Sequence, residues 1–467
     1  MPRLSPSLLL QAHKIHALLP LLLRPCRDLQ SAQNELRWLR EHALAITSSS
    51  RDSPNSNRYL RTVTGAGWRT NLRQLCEQRA RGVPLQYLLG SQPFGALDIK
   101  CRRGVLIPRP ETEAYTTHLA HQILRFLPST TTGKSFRILD LCTGTGCIAL
   151  LLHSLLHPRI PNLQITGIDI SPLAIGLARQ NLASNIAQNL LSPAAKDQVS
   201  FNEGNAFDTR LIASSGGGKQ GRQRSTEQAE GGERRQAGSG CGCGSEWDVI
   251  ISNPPYISPE GYKRTTSRSV RNFEPRLALV PPSSASVPIS TAPISASTST
   301  SILSTSAPAP ALKSSQSISS TTTTDADRDG DTFYPSLLQH AAASGAQFSL
   351  LEVADLAQAK RVVRLATAQK GVWDVVEIWR DWPAQQTQQA QQGLGSGLDE
   401  YRSCGGIEAE SKGERGPRTG EAGVVAGREM VKGMKGVEEG DVPVRGQGNG
   451  RAVVCWRAGG GSAWFSG

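Results

Sequence analysis

The chain has no Cys-x-x-Cys pair, no apolar run of membrane length and no three-residue glycine period. The missing glycine period excludes a collagen-like rod. The most apolar stretch near the start, Leu8 to Leu23, is broken by Gln11, His13, Lys14 and His16. It falls short of the roughly 18 uncharged apolar residues that a membrane span requires. Nine cysteines stand at 26, 76, 101, 142, 147, 241, 243, 404 and 455. Cys241 and Cys243 form an isolated Cys-x-Cys in a Gly/Ser tract, with no second cluster to complete a zinc site, so no metal is expected. Reduced thiols of an intracellular protein are the simpler reading. Apolar residues are scarce too, 38% of 467 against roughly 45–50% in globular chains. That balance implies a folded body smaller than the chain. Acidic residues are the scarcer charge: 51 Lys+Arg against 39 Asp+Glu give a net +12, which invites a nucleic-acid reading.

Three tracts lack the apolar surface needed to offset the entropy of ordering them. Ser214 to Ser245 is Gly-rich and charged, Val280 to Thr324 is dominated by Ser, Thr and Pro, and Ala384 to Asn449 is Gln followed by Gly mixed with both charge signs. The expected organisation is a targeting presequence at 1–27, a helical domain at 28–90, a linker at 91–134 and an α/β domain at 135–383. That domain carries disordered inserts at 214–245 and 280–324; a further insert spans 384–449, and a last strand with its tail spans 450–467. The first 27 residues contain Arg3, Lys14, Arg24 and Arg27 and no acid, as in organelle-targeting segments. The competing reading is the first helix of the helical domain.

Within 28–82, Leu36, Leu39, Leu72 and Leu75 recur at the i, i+3 spacing of amphipathic helices. From Ser135 the period changes. Phe136 to Leu141 reads as a buried strand, Cys142 to Gly146 as a turn and Cys147 to Leu156 as a helix. Leu163 to Asp169 is a second strand and Pro172 to Ser184 a helix. Val199 to Glu203, Trp247 to Ser252, Phe348 to Val353, Val372 to Ile378 and Ala452 to Trp456 supply five more strands. Such alternation means a mostly parallel, doubly wound α/β sheet.

The turn Cys142-Thr143-Gly144-Thr145-Gly146 lies between strand and helix, where glycines let a ligand approach the backbone and helix N–H groups receive its acceptors. Asp169 ends the next strand, at the place where a carboxylate accepts the hydroxyl protons of a ribose. Together they read as an adenosine-type cofactor site. Because Gly144-x-Gly146-x-x-Ala149 also fits the dinucleotide fingerprint, NAD and S-adenosylmethionine both remain open at this point.

Ser252-Asn253-Pro254-Pro255-Tyr256 narrows the choice. It follows the strand at Trp247 to Ile251, hence lies at the carboxyl edge of the sheet, where substrates bind. Consecutive prolines fix the backbone and leave the Pro254 carbonyl with no local donor. The Asn253 side chain offers a second acceptor, and Tyr256 an aromatic face. This group can grip a planar –NH2 through both hydrogens and stack on its plane. An amide nitrogen so held becomes more pyramidal, with its lone pair free for a methyl sulfonium; catalysis is orientation plus stabilisation of developing positive charge.

With its glycine loop and ribose carboxylate, the Asn-Pro-Pro-Tyr motif resembles that of the S-adenosylmethionine-dependent amino-methyltransferases. Three further stretches, Pro84 to Gly90 with Phe94, Val105-Leu106-Ile107-Pro108-Arg109-Pro110-Glu111-Thr112-Glu113, and Phe273-Glu274-Pro275-Arg276-Leu277-Ala278-Leu279, are similar to those of the HemK-type release factor glutamine methyltransferases. The resemblance implies N5-methylation of the glutamine in the Gly-Gly-Gln tip of a peptide-chain release factor, in support of translation termination. It implies a seven-stranded Rossmann-like sheet with an antiparallel last strand, and a helical N-domain that recognises the substrate. S-adenosylmethionine is then the cofactor, with Thr143, Gly144 and Gly146 lining it, Asp169 on its ribose, Asn205 and Phe207 beside its adenine, and Asn253 near its methyl group. Asn253, Pro254, Pro255 and Tyr256 hold the glutamine, with Asn253, Pro254 and Tyr256 as the catalytic set. Asn205 departs from the usual acidic residue, and the tract at 384–449 separates the last two strands.

Arg109 and Glu111 read equally well as pocket residues and as an interdomain hinge; Trp373, Trp379, Trp382 and Trp456 read as packing. A nucleic-acid amino-methyltransferase is the enzymatic alternative, but no added basic module or further stacking aromatics accompany Tyr256. A non-catalytic binding protein would show a damaged loop or Asn, and both are intact. The expected partner is a release factor, without direct nucleic-acid contact or membrane span, and the protein a monomer. Two-thirds of the net charge falls in residues 1–83. The share before Asp28 suits a mitochondrial address, with the cytoplasm as alternative. The share after it suits a docking face for an acidic partner.

Overall fold

The computed structural model describes residues 4–49, 67–126, 135–208, 247–283, 330–383 and 442–457. The tract at 214–245 and most of the other two lie outside the described residues.

The chain begins with helices α1 (Pro6–Ile15), α2 (Leu19–Cys26), α3 (Leu29–Ser49) and α4 (Trp68–Ala80). Ser5 caps α1 by accepting from the Leu8 N–H at 3.2 Å, ahead of a proline whose absent N–H costs nothing in the first turn. One apolar core joins these helices: Ala12, Leu19, Leu22, Leu23, Leu39 and Leu75 are all fully buried in it. The basic leucine-rich start therefore packs as the first two helices of this core. Arg79 clamps α4 to α3 through two 2.8 Å bonds to Glu35.

Of the span expected as a linker, 91–134, residues 91–126 are described and carry regular structure. After α5 (Leu85–Leu89), strands β1 (Ser91–Phe94) and β2 (Leu97–Lys100) form an antiparallel hairpin, and α6 (Pro110–Phe126) follows. Asn181 and Asn185 bind the backbone of β2 at Lys100 and Asp98, seating the hairpin on the larger domain.

The large sheet comprises β3 (Phe136–Leu141), β4 (Leu163–Asp169), β5 (Val199–Glu203), β6 (Val249–Ser252), β7 (Phe348–Glu352), β8 (Val375–Trp382), β9 (Val444–Arg445) and β10 (Gln447–Trp456), in the order β5-β4-β3-β6-β7-β10-β8-β9. It is eight-stranded rather than seven, because the two-residue β9 pairs parallel to β8. Gly446, at φ 89°, turns the chain straight into β10. The neighbours from β5 to β7 pair in parallel, whereas β10 runs antiparallel between β7 and β8. Every residue of β6 and β7 is buried, so these strands read as continuous apolar runs rather than alternating ones.

Side chains alternate across the sheet into two cores. Ile138, Val249, Leu350 and Val454 point to α6 and α7 (Cys147–Leu156). Leu139, Ile250, Leu351 and Val453 point to helices Tyr334–Ala343 and Leu356–Ala368. The connections go one way from β3 through β4 to β5, and the other way from β6 to β7. The switch falls between β3 and β6, and such a point opens a crevice beyond the strands' carboxyl ends.

The expected tracts start and stop elsewhere than composition suggested. Val280 is buried, and residues 444–449 form β9, its turn and the start of β10. Of the tryptophans read as packing, Trp379 and Trp456 are buried but Trp382 is 43% exposed.

Candidate active site

At the switch point, Ser252 donates through Oγ to the Leu141 carbonyl at 2.8 Å, drawing the carboxyl ends of β6 and β3 together. This sets the Asn-Pro-Pro-Tyr segment beside the glycine loop. A cavity opens there, walled by Thr143, Gly144, Asp169, Asn205, Phe207, Asn253 and Pro255 among others. Gly146, Pro254 and Tyr256 stand behind that wall.

The loop is shaped by its backbone. Cys142, Gly144 and Gly146 all have positive φ, at 62°, 56° and 79°, so a non-glycine residue carries the strain of a left-handed conformation at the first of them. The two glycines serve different ends. At Gly144 no atom lies within 4 Å of where a Cβ would stand, leaving an open cradle toward the cavity. At Gly146 a Cβ would come within 2.8 Å of the Phe201 ring and 3.1 Å of Ala178. Gly146 is therefore a packing glycine, which lets α7 close on β5 and α8 (Pro172–Ala187), and it is not among the residues that wall the cavity. Gly146→Ala should cost about 1–2 kcal/mol for the left-handed backbone plus about 1–3 kcal/mol for overpacking, read as a lowered melting temperature. Gly144→Ala should bear the first cost alone and instead weaken cofactor binding in calorimetric titration.

Asp169 ties the loop down. Its Oδ2 accepts from Gly144 N–H and its Oδ1 from Ser171 N–H, each at 2.9 Å. Burial raises its pKa, and these two backbone donors oppose the rise. Each oxygen keeps a lone pair for a further hydroxyl. Behind it Thr143 donates to the fully buried Asp140 at 2.6 Å, and burial pushes the Asp140 carboxyl up to about 7. Asn205 accepts from Phe207 N–H through its Oδ1 at 3.1 Å; its oxygen is spent on that turn, and its –NH2 remains for a ligand. Phe207 stacks on Phe333 with ring centroids 4.5 Å apart, and both rings wall the cavity. An open glycine cradle, a carboxylate with spare lone pairs and an apolar aromatic wall suit the ribose and adenine of S-adenosylmethionine.

Asn253 lines the cavity, and its side chain takes no hydrogen bond from a described residue. Tyr256 turns its hydroxyl away, to Glu352 at 3.0 Å. Its pKa is raised by burial and then by that carboxylate. Arg109 walls the cavity and binds Glu274 at 2.7 and 2.9 Å, while Glu274 also accepts from Ile107 N–H at 3.2 Å. The Arg-Pro-Glu-Thr-Glu and Phe-Glu-Pro-Arg stretches are thus bonded to one another at the cavity mouth. Sequence reasoning missed Asp140, Phe333, Glu352 and Pro282, the last of which walls the cavity from within a span expected to be an insert.

A doubly wound sheet with the last strand reversed, opening at its switch point on such a cradle, defines a methyltransferase dependent on S-adenosylmethionine. The methyltransferase domain family matches residues 132–212. The mitochondrial MRF1 N(5)-glutamine methyltransferase MTQ1 of Saccharomyces cerevisiae is 34% identical over 287 residues, covering 60% of this chain and 68% of that protein. The probable mitochondrial MRF1 N(5)-glutamine methyltransferase of Schizosaccharomyces pombe is 33% identical, over 47% and 58%. A release factor glutamine methyltransferase of Chlorobaculum tepidum is 30% identical, over 45% and 57%. The chain belongs to the release factor N(5)-glutamine methyltransferase family.

Proposed function

We propose that this protein transfers a methyl group to the side-chain amide nitrogen of the glutamine in the Gly-Gly-Gln tip of a mitochondrial peptide-chain release factor. The observation that carries this reading is a pair of acceptors at the carboxyl end of β6, the Asn253 side chain and the Pro254 carbonyl. No described residue donates to either, and the first opens on the Asp169 cavity.

An amide nitrogen is a poor nucleophile because its lone pair is delocalised into the carbonyl. Asn253 Oδ1 and the Pro254 carbonyl would each take one of its hydrogens, favouring a pyramidal nitrogen with its lone pair aimed into the cavity. The same acceptors stabilise the positive charge that grows on the nitrogen, in a site lined by Phe207, Phe333 and Pro255. No general base need act first, since the methylated nitrogen is acidic and releases its proton afterward. Asp169 would hold the ribose, Gly144 the approach of the backbone, and Phe207 the adenine edge. When bound, S-adenosylmethionine supplies a methyl group on a sulfonium, electrophilic at carbon.

The mitochondrial setting rests on the fungal relatives. To test the function, protein and labelled cofactor are incubated with a release factor and with its tip Gln→Ala variant. Label in the native factor and none in the variant is expected. Equal label in both, or label in added RNA alone, would refute the proposal.

A further inference from the structure

Glu352 ends β7 and is 1% exposed. Stripping a carboxylate of water is costly unless its lone pairs are filled. Here the hydrogen bonds filling them come from three hydroxyl groups. Oε2 accepts from Thr112 Oγ1 at 2.8 Å and from the Tyr115 hydroxyl at 2.6 Å, and Oε1 accepts from the Tyr256 hydroxyl at 3.0 Å. Thr112 and Tyr115 both belong to α6. Two bonds from one helix thus fix the carboxylate plane and leave its other oxygen aimed at a single group. Arg109 and Arg451 act on Glu352 electrostatically, yet each is bonded to another acid, Glu274 and Asp381 respectively.

The other end of Tyr256 is held as well. Its carbonyl accepts from Gln358 Nε2 at 3.2 Å. Gly330, at φ 81°, packs so closely that a Cβ there would collide with the same carbonyl. A residue pinned at hydroxyl and carbonyl cannot swing its ring to another χ1 rotamer or shift its backbone without breaking one of these contacts.

We infer that Glu352 is a positioning residue, which fixes the Tyr256 ring and through it the backbone that presents Asn253 and Pro254, while Thr112 and Tyr115 hold Glu352 in the required orientation. This rests on the proposed amide methylation. The Arg-Pro-Glu-Thr-Glu stretch thereby acquires a second role, since its threonine reaches through the wall of the cavity to the support of the catalytic motif.

Steady-state kinetics on a release factor, calorimetric titration of S-adenosylmethionine and thermal melting of the full chain test the inference. Glu352→Ala is expected to lower kcat about 100-fold and Tyr256→Phe about tenfold. Neither should change cofactor affinity or the KM for the release factor by more than about twofold, as expected for loss of an interaction that acts in the transition state. Glu352→Gln keeps an acceptor for the hydroxyl and should retain most of kcat. In the Tyr256→Phe background, Glu352→Ala should cost far less than alone, because both remove the same bond. Wild-type kcat in Tyr256→Phe, additive losses in the double variant, or Glu352→Gln as poor as Glu352→Ala would each overturn the inference. Should Glu352→Ala fail to fold, Thr112→Val and Tyr256→Phe decide it: lowered kcat at unchanged melting temperature supports it, and unchanged kcat overturns it. A wild-type protein that labels no release factor would instead refute the underlying function.

Discussion

Asn253→Ala should lower methyl transfer to a release factor by about 100- to 1,000-fold, the loss typical of removing one preorganised group from a site of developing charge. The residue lines the cavity with no described partner for its side chain, so shortening it breaks no internal bond. Folding and thermal stability should stay close to wild type, and the rate should fall without them. Saturating cofactor should not restore the rate, because the deficit lies in gripping the amide. Asn253→Asp, which keeps oxygen acceptors of similar shape, should fall between the two. Single-turnover transfer and calorimetric titration, run side by side, check this. A variant with near wild-type transfer would remove the amide grip from the mechanism.

Asp169→Ala should produce the opposite pattern. Two hydroxyl bonds to a carboxylate are each worth about 1.5–3 kcal/mol, so cofactor affinity should drop by at least about 100-fold. High cofactor concentration should then recover most of kcat, if this carboxylate holds the ribose, as proposed, and takes no part in the transfer. Some thermal stability should go as well, because the Gly144 and Ser171 N–H groups lose the acceptor that joins them. Burial raises the Asp169 pKa; the charged form is the one that accepts hydroxyls, so affinity should weaken on acidification sooner than for an exposed aspartate. Titrations across pH check the direction. Affinity unchanged in Asp169→Ala would detach the ribose from this residue.

Both residues are legible in the sequence for the same reason. Each stands at the carboxyl end of a strand of the parallel sheet: Asp169 closes Leu163–Asp169, and Asn253 follows Val249–Ser252, which is buried throughout and appears in the sequence as an apolar run with an abrupt polar end. The helix Cys147–Leu156 is equally plain, set between a glycine turn and a polar stop. The hairpin at 91–100 is not. Its strands are four residues each, and one contains Pro93, a residue that argues against a strand in any sequence. Glu352 gives no local signal, being a single acid at the end of an apolar strand; its meaning comes from hydroxyls 96 to 240 positions away. Phe333 is hidden by the long low-complexity tract before it, although it stacks on Phe207, which the family resemblance puts beside the adenine. Gly146 shows the limit of motif reading. Spacing marks it as a ligand glycine, and only the distance to Phe201 reveals the neighbour that excludes a side chain.

The reversed strand β10 sits inside the sheet, bonded to β7 on one side and β8 on the other, although it is the last element of the described chain. Until it arrives, β8 has no partner linking it to the rest of the sheet, and the buried Trp379 lacks the strand that abuts it. A polypeptide emerging from its amino end therefore cannot complete this domain stepwise. A chain stopping just before Gln447 would keep the glycine loop and the Asn-Pro-Pro-Tyr segment but leave β7 and β8 without the strand that joins them, exposing an unpaired edge on each. A single strand from beyond residue 446 thus decides whether β8 and the site-bearing strands form one continuous surface.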